Sequence, residues 1–180
     1  MNKRIAVFLS SHEGLPESYR QTAIAVGEWL GKHQHTLVYG GARKGLMEVL
    51  AQATHQNGGR IYGVVPQILV DQHLVSDAID ITFYCADLND RKAIMVRESE
   101  IFLALPGGIG TLDEIFTVLA ANTIGLQQKH VILYDVEGCW EPTMKALHDL
   151  RDRNLVSETS LAWLHLVHSI EELEQVCQQM

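Results

Sequence analysis

A glycine-rich segment between an apolar run and an amphipathic stretch is the first candidate for chemistry. Residues 105–114 have the sequence LPGGIGTLDE. Glycine lets the backbone approach an anion closely, and a helix that begins here would present unpaired N–H groups at the positive end of its dipole. The alternative is structural, with Thr111 as N-cap and Glu114 as its capping-box partner, because Thr-x-x-Glu satisfies that pattern unaided. These residues favour a phosphate-binding turn and a plain helix start equally.

A second glycine-rich loop is predicted at residues 39–47, which have the sequence YGGARKGLM. It also lies between an apolar run and a helical pattern. It matches neither Gly-x-Gly-x-x-Gly nor the P-loop, because the lysine precedes the last glycine and no Ser or Thr follows that glycine. Arg43 and Lys44 are either solvated loop charges or an additional attraction for a phosphate group.

The third candidate is an adjacent pair of cations near the start of a predicted helix. Asp87 is expected to be the N-cap, which places Arg91 and Lys92 in the first turns. Cations near a helix N-terminus oppose the helix dipole, so a nearby anionic ligand would explain the pair. An exposed pair on a polar helix face explains it as well.

Alternating strands and helices are predicted to position these segments. Seven short runs, mostly β-branched, aromatic or Leu, are predicted as strands buried on both faces. They are residues 5–9, 37–39, 61–65, 81–84, 101–105, 131–134 and 164–167. Between them, apolar residues recur with the i, i+3, i+4, i+7 spacing of one helix face, as at Leu112, Ile115 and Leu119.

This alternation predicts a doubly wound, Rossmann-like α/β fold with a mostly parallel sheet and helices on both faces. The length of 180 residues, without an internal repeat or linker, predicts a single domain over residues 1–180. In such sheets a ligand binds beyond the carboxyl ends of the strands, where the strand order reverses. Four loops are candidates for that edge: residues 10–14, residues 40–45, Pro66 and residues 106–111.

The overall charge limits the partners. The chain carries 14 Lys and Arg against 22 Asp and Glu, a formal net charge of −8. This balance disfavours nucleic-acid and anionic-membrane surfaces, because both need a basic footprint. No segment approaches the roughly 18 apolar residues of a spanning helix, so a cytoplasmic protein is expected.

The cysteines and histidines show no spacing typical of a metal site. Cys85, Cys139 and Cys177 are far apart and are expected to be buried thiols in a reducing compartment. The nine histidines include no His-Glu-x-x-His motif. We therefore expect no protein-bound metal.

In combination, these segments resemble the LOG family, the cytokinin riboside 5'-monophosphate phosphoribohydrolases, whose members have often been labelled "possible lysine decarboxylase". The resemblance rests on Pro-Gly-Gly-x-Gly-Thr-x-x-Glu at residues 106–114, the Arg-Lys pair at residues 91–92, and the glycines and Gly-Leu-Met of residues 40–47. Ser10 and Ser11 match a Gly-Ser-Ser element of that family, and the resemblance extends to about Asp152.

The resemblance implies a homodimer that hydrolyses an adenosine or N6-modified adenosine 5'-monophosphate to the free base and ribose 5-phosphate. It implies catalytic roles for Arg91 and Glu114. The substrate-binding positions that it implies are Ser10, Ser11, Gly40, Gly41, Gly45, Lys92, Pro106, Gly107, Gly108, Gly110 and Thr111. Cleavage of an N-glycosidic bond develops positive charge on the sugar, which a fixed carboxylate stabilises while an arginine binds phosphate or polarises the departing base. This chemistry requires no metal or redox cofactor.

The chain also departs from the family pattern. Ala42 and Glu48 replace glycines of the usual Gly-Gly-Gly-x-x-Gly-Leu-Met-Gly, and residues 88–90 (LND) replace the usual Met-His before the arginine. His73 stands at about the place of a substrate-contacting Glu of plant members, so the resemblance implies no role for it. The preferred base therefore does not follow from the resemblance.

Two other functions stay open. A nucleotide-binding carrier or sensor would hold a phosphate with the same turns and cleave nothing, and the presence of Arg91 and Glu114 speaks against it. A lysine decarboxylase needs a lysine that holds pyridoxal phosphate as a Schiff base. The lysines of this chain are predicted in loops or on polar helix faces, which are not settings that depress a lysine pKa.

Overall fold

The computed structural model describes residues 2–180, which form a parallel sheet with helices on both faces. Its seven strands are β1 (Arg4–Phe8), β2 (Thr36–Tyr39), β3 (Arg60–Pro66), β4 (Ile81–Cys85), β5 (Ile101–Ala104), β6 (Val131–Tyr134) and β7 (Leu164–Val167). The eight helices are α1 (Glu17–Lys32), α2 (Gly45–Gln56), α3 (Gln67–Asp71), α4 (Leu88–Glu98), α5 (Ile109–Thr123), α6 (Glu141–Asp152), α7 (Glu158–Leu161) and α8 (Ile170–Gln178). The predicted doubly wound α/β class is confirmed.

The strand order is β4-β3-β2-β1-β5-β6-β7, and every neighbouring pair is parallel. The chain proceeds from β1 outward to β4 and then returns to the other side of β1 with β5. Ala6 is therefore in register with Val38 on one side and with Phe102 on the other. The order reverses beside β1, so the carboxyl ends of β1 and β5 form the switch point at which such sheets bind ligands.

Alternate residues of the central strands face two separate apolar layers. Ile5 and Val7 pack in the layer that contains α1, α2 and α8. Ala6 and Phe8 pack in the layer that contains α4, α5 and α6. Right-handed crossovers on the two sides of β1 send the helices to opposite faces of the sheet.

The prediction that all strands are buried on both faces is wrong at the edges of the sheet. Ile81 and Tyr84 of β4 are 40% and 67% exposed, because β4 pairs with β3 alone. In β7, at the opposite edge, His165 and Leu166 are half-buried. An edge strand has one neighbouring strand, so the helices of the central layers cover less of it.

The predicted N-cap of α4 is confirmed and determines where the cationic pair lies. The Asp87 carboxylate accepts hydrogen bonds from the N–H groups of Asn89 and Asp90 at 2.8 and 2.9 Å. A cap of this kind contributes about 1 kcal/mol. Because the helix begins at Leu88, Arg91 lies one turn into it.

The thiols only partly match the expectation. Cys85 and Cys177 are buried, whereas Cys139 is half-buried, which corrects the prediction for that residue. Burial raises the pKa of all three thiols, those of Cys139 and Cys177 to about 11. Within residues 2–180 the helices are too short or too polar to cross a membrane, and no group of three or more His, Cys, Asp or Glu is placed to hold a metal ion.

Candidate active site

The loops that follow β1, β2 and β5 meet at the carboxyl edge of the sheet. The backbone N–H of Ser10 donates to the carbonyl of Pro106 at 3.2 Å, which joins the first loop to the fifth. A Cβ atom at Gly45 would lie 2.5 Å from the carbonyl oxygen of His12, so the first and second loops are also in contact. Gly45 has a φ of +55°, which further favours glycine there. These loops surround the switch point.

Arg91 of α4 and Glu114 of α5 form a buried ion pair at this edge. The Nη1 atom of Arg91 lies 3.4 Å from Oε1 of Glu114, and the two side chains are 15% and 8% exposed. The Nε atom of Arg91 is shielded from solvent and has no hydrogen-bond partner among residues 2–180. The guanidinium group therefore retains a donor for which the described protein provides no acceptor.

Gly40 makes room for that guanidinium group. A Cβ atom at Gly40 would overlap the Nη2 atom of Arg91. Any other residue at this position would displace the arginine side chain. The absence of a side chain at Gly40 thus leaves room for the guanidinium group of Arg91.

The carboxyl group of Glu114 titrates near neutral pH. Burial raises its pKa from the ordinary 4.5 to about 7, while the positive charge of Arg91 opposes this rise. Asp113 adds to the increase, and Lys92 counteracts it. A desolvated carboxyl group beside a specific charged partner is typical of functional sites.

The glycine turn leads into α5 in a way that excludes the predicted capping box. The helix begins at Ile109 with Gly108 as N-cap and without a side-chain capping hydrogen bond. Thr111 is therefore the third helical residue, and the interpretation of Thr111 as N-cap with Glu114 as its partner is wrong. Thr111 is buried against Gly107, where a Cβ atom would overlap the threonine hydroxyl oxygen. Because no side chain caps this helix, its first N–H groups are available to an anion.

Gly108 and Gly110 have no packing reason to be glycine. A Cβ atom at either position would meet no atom within 4 Å, and neither residue has a positive φ. Glycine inside a helix, as at Gly110, costs roughly 0.5–1 kcal/mol relative to alanine. The described fold therefore does not require these two glycines, and their open backbone is accessible to a ligand.

Two of the other predicted cations, Lys92 and Arg43, are engaged by acidic partners. The Nζ atom of Lys92 lies 2.9 and 2.8 Å from the two carboxylate oxygens of Asp113. Arg43 bonds Asp77 at 3.0 Å and the His73 carbonyl at 2.7 Å, which ties the second loop to the segment after α3. Neither Asp113 nor Asp77 could be predicted as a partner, because residues 21 and 34 positions apart follow no helix or strand period.

Ser10 and Gly41, two further predicted binding positions, make hydrogen bonds within the loops. The hydroxyl oxygen of buried Ser10 accepts a hydrogen bond from the N–H of His12 at 3.0 Å, whereas Ser11 is exposed. The carbonyl of Gly41 accepts one from Ser76 at 3.0 Å. Direct contact of these residues with a substrate stays a prediction.

Lys129 differs from the expectation that the lysines lie in polar settings. It is half-buried, with Nζ 5.5 Å from the ring centroid of Phe102, and it donates to the Ser99 carbonyl at 2.7 Å. Burial lowers its pKa. Lys129 precedes β6, however, and so lies at the amino edge of the sheet, opposite the glycine turn.

Fold and site together define a doubly wound α/β protein with an uncapped glycine turn and a buried Arg–Glu pair at its topological switch point. The sequence model of the family described as "Possible lysine decarboxylase" matches residues 47–180. The cytokinin riboside 5'-monophosphate phosphoribohydrolase LOG7 of Arabidopsis thaliana is 34% identical over 179 residues, which cover 96% of this chain and 82% of that protein. The chain belongs to this LOG-type family, and the resemblance seen in the sequence is confirmed.

Solved structures share the fold. The molybdenum cofactor binding protein from the phototrophic bacterium Rippkaea orientalis has a TM-score of 0.75 at 24% identity, covering 99% of this chain and 98% of that chain. The Moco carrier protein from Chlamydomonas reinhardtii has a TM-score of 0.74 at 21% identity, covering 100% of both chains. At this level of identity the likeness concerns the fold alone.

Proposed function

We propose that the chain hydrolyses the N-glycosidic bond of a purine 5'-monophosphate, adenosine or N6-modified adenosine, to the free base and ribose 5-phosphate. The observation that carries this proposal is the buried Arg91–Glu114 pair beside a turn whose glycines at 108 and 110 leave open backbone. The name of the Arabidopsis relative, a riboside 5'-monophosphate phosphoribohydrolase, supports the same reaction class.

The phosphate group of the substrate would bind at the start of α5. That helix has no side-chain cap, so its first N–H groups and its dipole favour an anion. The open backbone at Gly108 and Gly110 allows close approach. In a chain with a formal charge of −8, such a local site is needed to hold an anionic ligand.

Glu114 and Arg91 would act on the bond that breaks. Water adds to C1' as the bond from C1' to the base nitrogen breaks, and the base leaves with a proton. An ionised Glu114 stabilises the positive charge that develops on the sugar and orients the attacking water. Arg91 donates to the phosphate or to the departing base, which gives its unpartnered Nε–H an acceptor.

A chromatographic assay of base release tests this proposal. AMP should be hydrolysed with a kcat/KM at least about a hundredfold above that of adenosine, because binding energy from the remote phosphate positions the sugar for reaction. Equal kcat/KM values for AMP and adenosine would contradict a phosphate-binding role of the glycine turn. A rise in melting temperature with AMP but no base release would identify a carrier or sensor instead.

We further propose that the chain forms a homodimer through the exposed face of α5. Ile109, Phe116 and Ile124 are 83%, 41% and 72% exposed, and their spacing places them along one side of the helix. An exposed apolar patch of this kind marks an interaction site. Since Ile109 follows the glycine turn, the second subunit would border the crevice.

Light scattering after size-exclusion chromatography tests the dimer. Phe116→Glu should give the mass of one chain, while the wild type gives that of two. Leu155, which is 71% exposed outside this face, provides the matched control, and Leu155→Glu should stay dimeric. A wild-type protein with the mass of one chain at micromolar concentration contradicts the proposal.

A further inference from the structure

A second concave region lies at the amino edge of the sheet, on the opposite side from the glycine turn. It is a cavity of about 460 Å³ between the segments that precede β1 and β2 and the helices α1 and α8. None of the residues proposed for hydrolysis lines it. The lining residues relevant here are Lys3, Trp29, His33, His35, Glu174 and Cys177.

Three rings form one wall of this cavity. The ring centroid of Trp29 lies 4.9 Å from that of His35 and 5.7 Å from that of His33. The two imidazoles are nearly parallel, with centroids 6.1 Å apart. A wall of this composition suits a flat, largely apolar ligand.

His35 provides a hydrogen-bond donor without an acceptor. Its Nδ1 atom accepts a hydrogen bond from the backbone N–H of Lys3 at 3.1 Å. A neutral imidazole with an accepting Nδ1 carries its proton on Nε2. The residue is only 8% exposed, and among residues 2–180 this Nε2–H has no partner. Because Nε2 is not sealed from solvent and His35 lines the cavity, a ligand with an acceptor can reach this donor.

The charges around His35 favour an anionic acceptor. Burial, followed by the nearby His33 and Lys3, lowers the pKa of His35, and Glu100 opposes this effect. The Lys3 ammonium group, from the segment before β1, donates to the Cys177 carbonyl of α8 at 2.9 Å. Glu174 of α8 lies beside His33, with Oε1 3.6 Å from Nε2. Lys3 thus contributes a positive charge to the cavity lining next to His35, whose Nδ1 it contacts through its backbone N–H. The carboxylate of Glu174 contacts the outer imidazole.

We propose that this cavity binds a small aromatic carboxylate. Its ring packs against the wall of Trp29, His33 and His35, and its carboxylate accepts a hydrogen bond from Nε2–H of His35 near the ammonium group of Lys3. The site is separate from the crevice at the carboxyl edge, and it does not depend on the reaction proposed there.

Titration calorimetry and ¹⁵N NMR of the full chain test this site with benzoate as the probe. Benzoate should bind and shift the indole N–H signal of Trp29. Benzamide, which keeps the ring and loses the charge, should bind about tenfold more weakly. Acetate, which keeps the charge and loses the ring, should give no binding at about 10 mM.

A pair of variants isolates the proposed donor. His35→Gln places an amide N–H near the position of Nε2 and should keep benzoate affinity within about threefold, whereas His35→Asn lacks a donor there and should lose about tenfold or more. Arg91→Ala, at the other edge, should leave benzoate affinity unchanged.

Three results overturn the proposal: no benzoate binding to the wild type, an equal loss in both His35 variants, or loss of binding in Arg91→Ala. If His35→Asn does not fold, the Trp29 indole signal of the wild type tests the proposed site instead. A benzoate-dependent shift of that signal supports the site, and shifts confined to the carboxyl edge contradict it.

Discussion

Replacing Glu114 by glutamine tests the energetic effect of one buried carboxyl group. The residue is 6% exposed, and burial raises its pKa to about 7 from the ordinary 4.5. The folded protein therefore binds this proton more tightly than the unfolded chain does. The stabilisation by the protonated group is complete below about pH 4.5 and is lost as the pH rises through about 7. Glutamine has nearly the same shape and does not titrate, so Glu114→Gln should not show this loss.

The expected magnitude follows from the two pKa values. The interval from 4.5 to about 7 corresponds to an upper limit of about 3 kcal/mol in the free energy of unfolding. The charge of Arg91 is already included in the folded pKa. An effect of the substitution on packing does not depend on pH, so it cancels when the stability differences at pH 5 and pH 8 are compared. The stability of Glu114→Gln relative to the wild type should therefore increase between pH 5 and pH 8.

Two measurements on the same preparation are needed. Urea denaturation at pH 5 and pH 8 gives the stability difference, and steady-state release of base from AMP gives the activity. Turnover should fall by about a hundredfold or more, because stabilisation of an oxocarbenium-like state requires the negative charge. Asp113→Asn is the matched control, since it removes the neighbouring charge at a side chain that is 53% exposed and should change stability by no more than about 1 kcal/mol at either pH.

Two outcomes would refute this reasoning separately. A stability difference that is the same at pH 5 and pH 8 would show that Glu114 does not titrate as a buried group. A folded Glu114→Gln variant with near-native turnover would show that the carboxylate is not catalytic.

The remaining predictions concern the same crevice. The kcat/KM for AMP should rise with pH up to about 7 and then level off, because the ionised form of Glu114 is the active one; a flat profile from pH 5.5 to 8.5 contradicts this. Gly110→Ala should raise stability by about 0.5–1 kcal/mol in urea denaturation, since its Cβ atom meets nothing within 4 Å, yet raise KM for AMP. Arg91→Ala should abolish base release and raise the pKa of Glu114, because the arginine charge lowers that pKa. Carboxyl ¹³C NMR measures this pKa, and an unchanged value would show that the pair is not coupled.

The order of strands and helices could be predicted because periodicity is a local property of the sequence. The boundaries of the predicted runs lie within one residue of those of all seven strands. Exposure of β4 could not be predicted in the same way. Its sequence, ITFYC, is as apolar as that of a central strand, and only the pairing of β3 with β2 and β4 places it at the edge.

The contact between Arg91 and Glu114 depends on the same long-range information. Each residue lies near the start of a helix that packs on one face of the sheet. Whether the two helix starts are neighbours depends on the strand order, which periodicity does not specify. The residues were identified through the family resemblance, and the ion pair at 3.4 Å gives a physical reason for their joint role.

The capping box failed as a prediction because Thr-x-x-Glu is a local pattern that fits several positions of a helix. The helix begins at Ile109, two residues before Thr111, so the threonine hydroxyl packs on Gly107 instead of capping the helix. Glu114 lies deeper in α5 and is free to pair with Arg91. The resulting helix start lacks a capping side chain, which is the condition that an anion site requires.

The glycines of the two loops differ in the atoms that lie next to them, and this difference indicates where a ligand would bind. Gly40, Gly45 and Gly107 are each required by a contact within the protein, with Arg91, the first loop and Thr111 respectively. Gly108 and Gly110 face open space. A substitution at Gly40 should therefore impair activity through displacement of Arg91. A substitution at Gly110 should impair substrate binding directly, because no atom of the described protein occupies the space that the new side chain would fill.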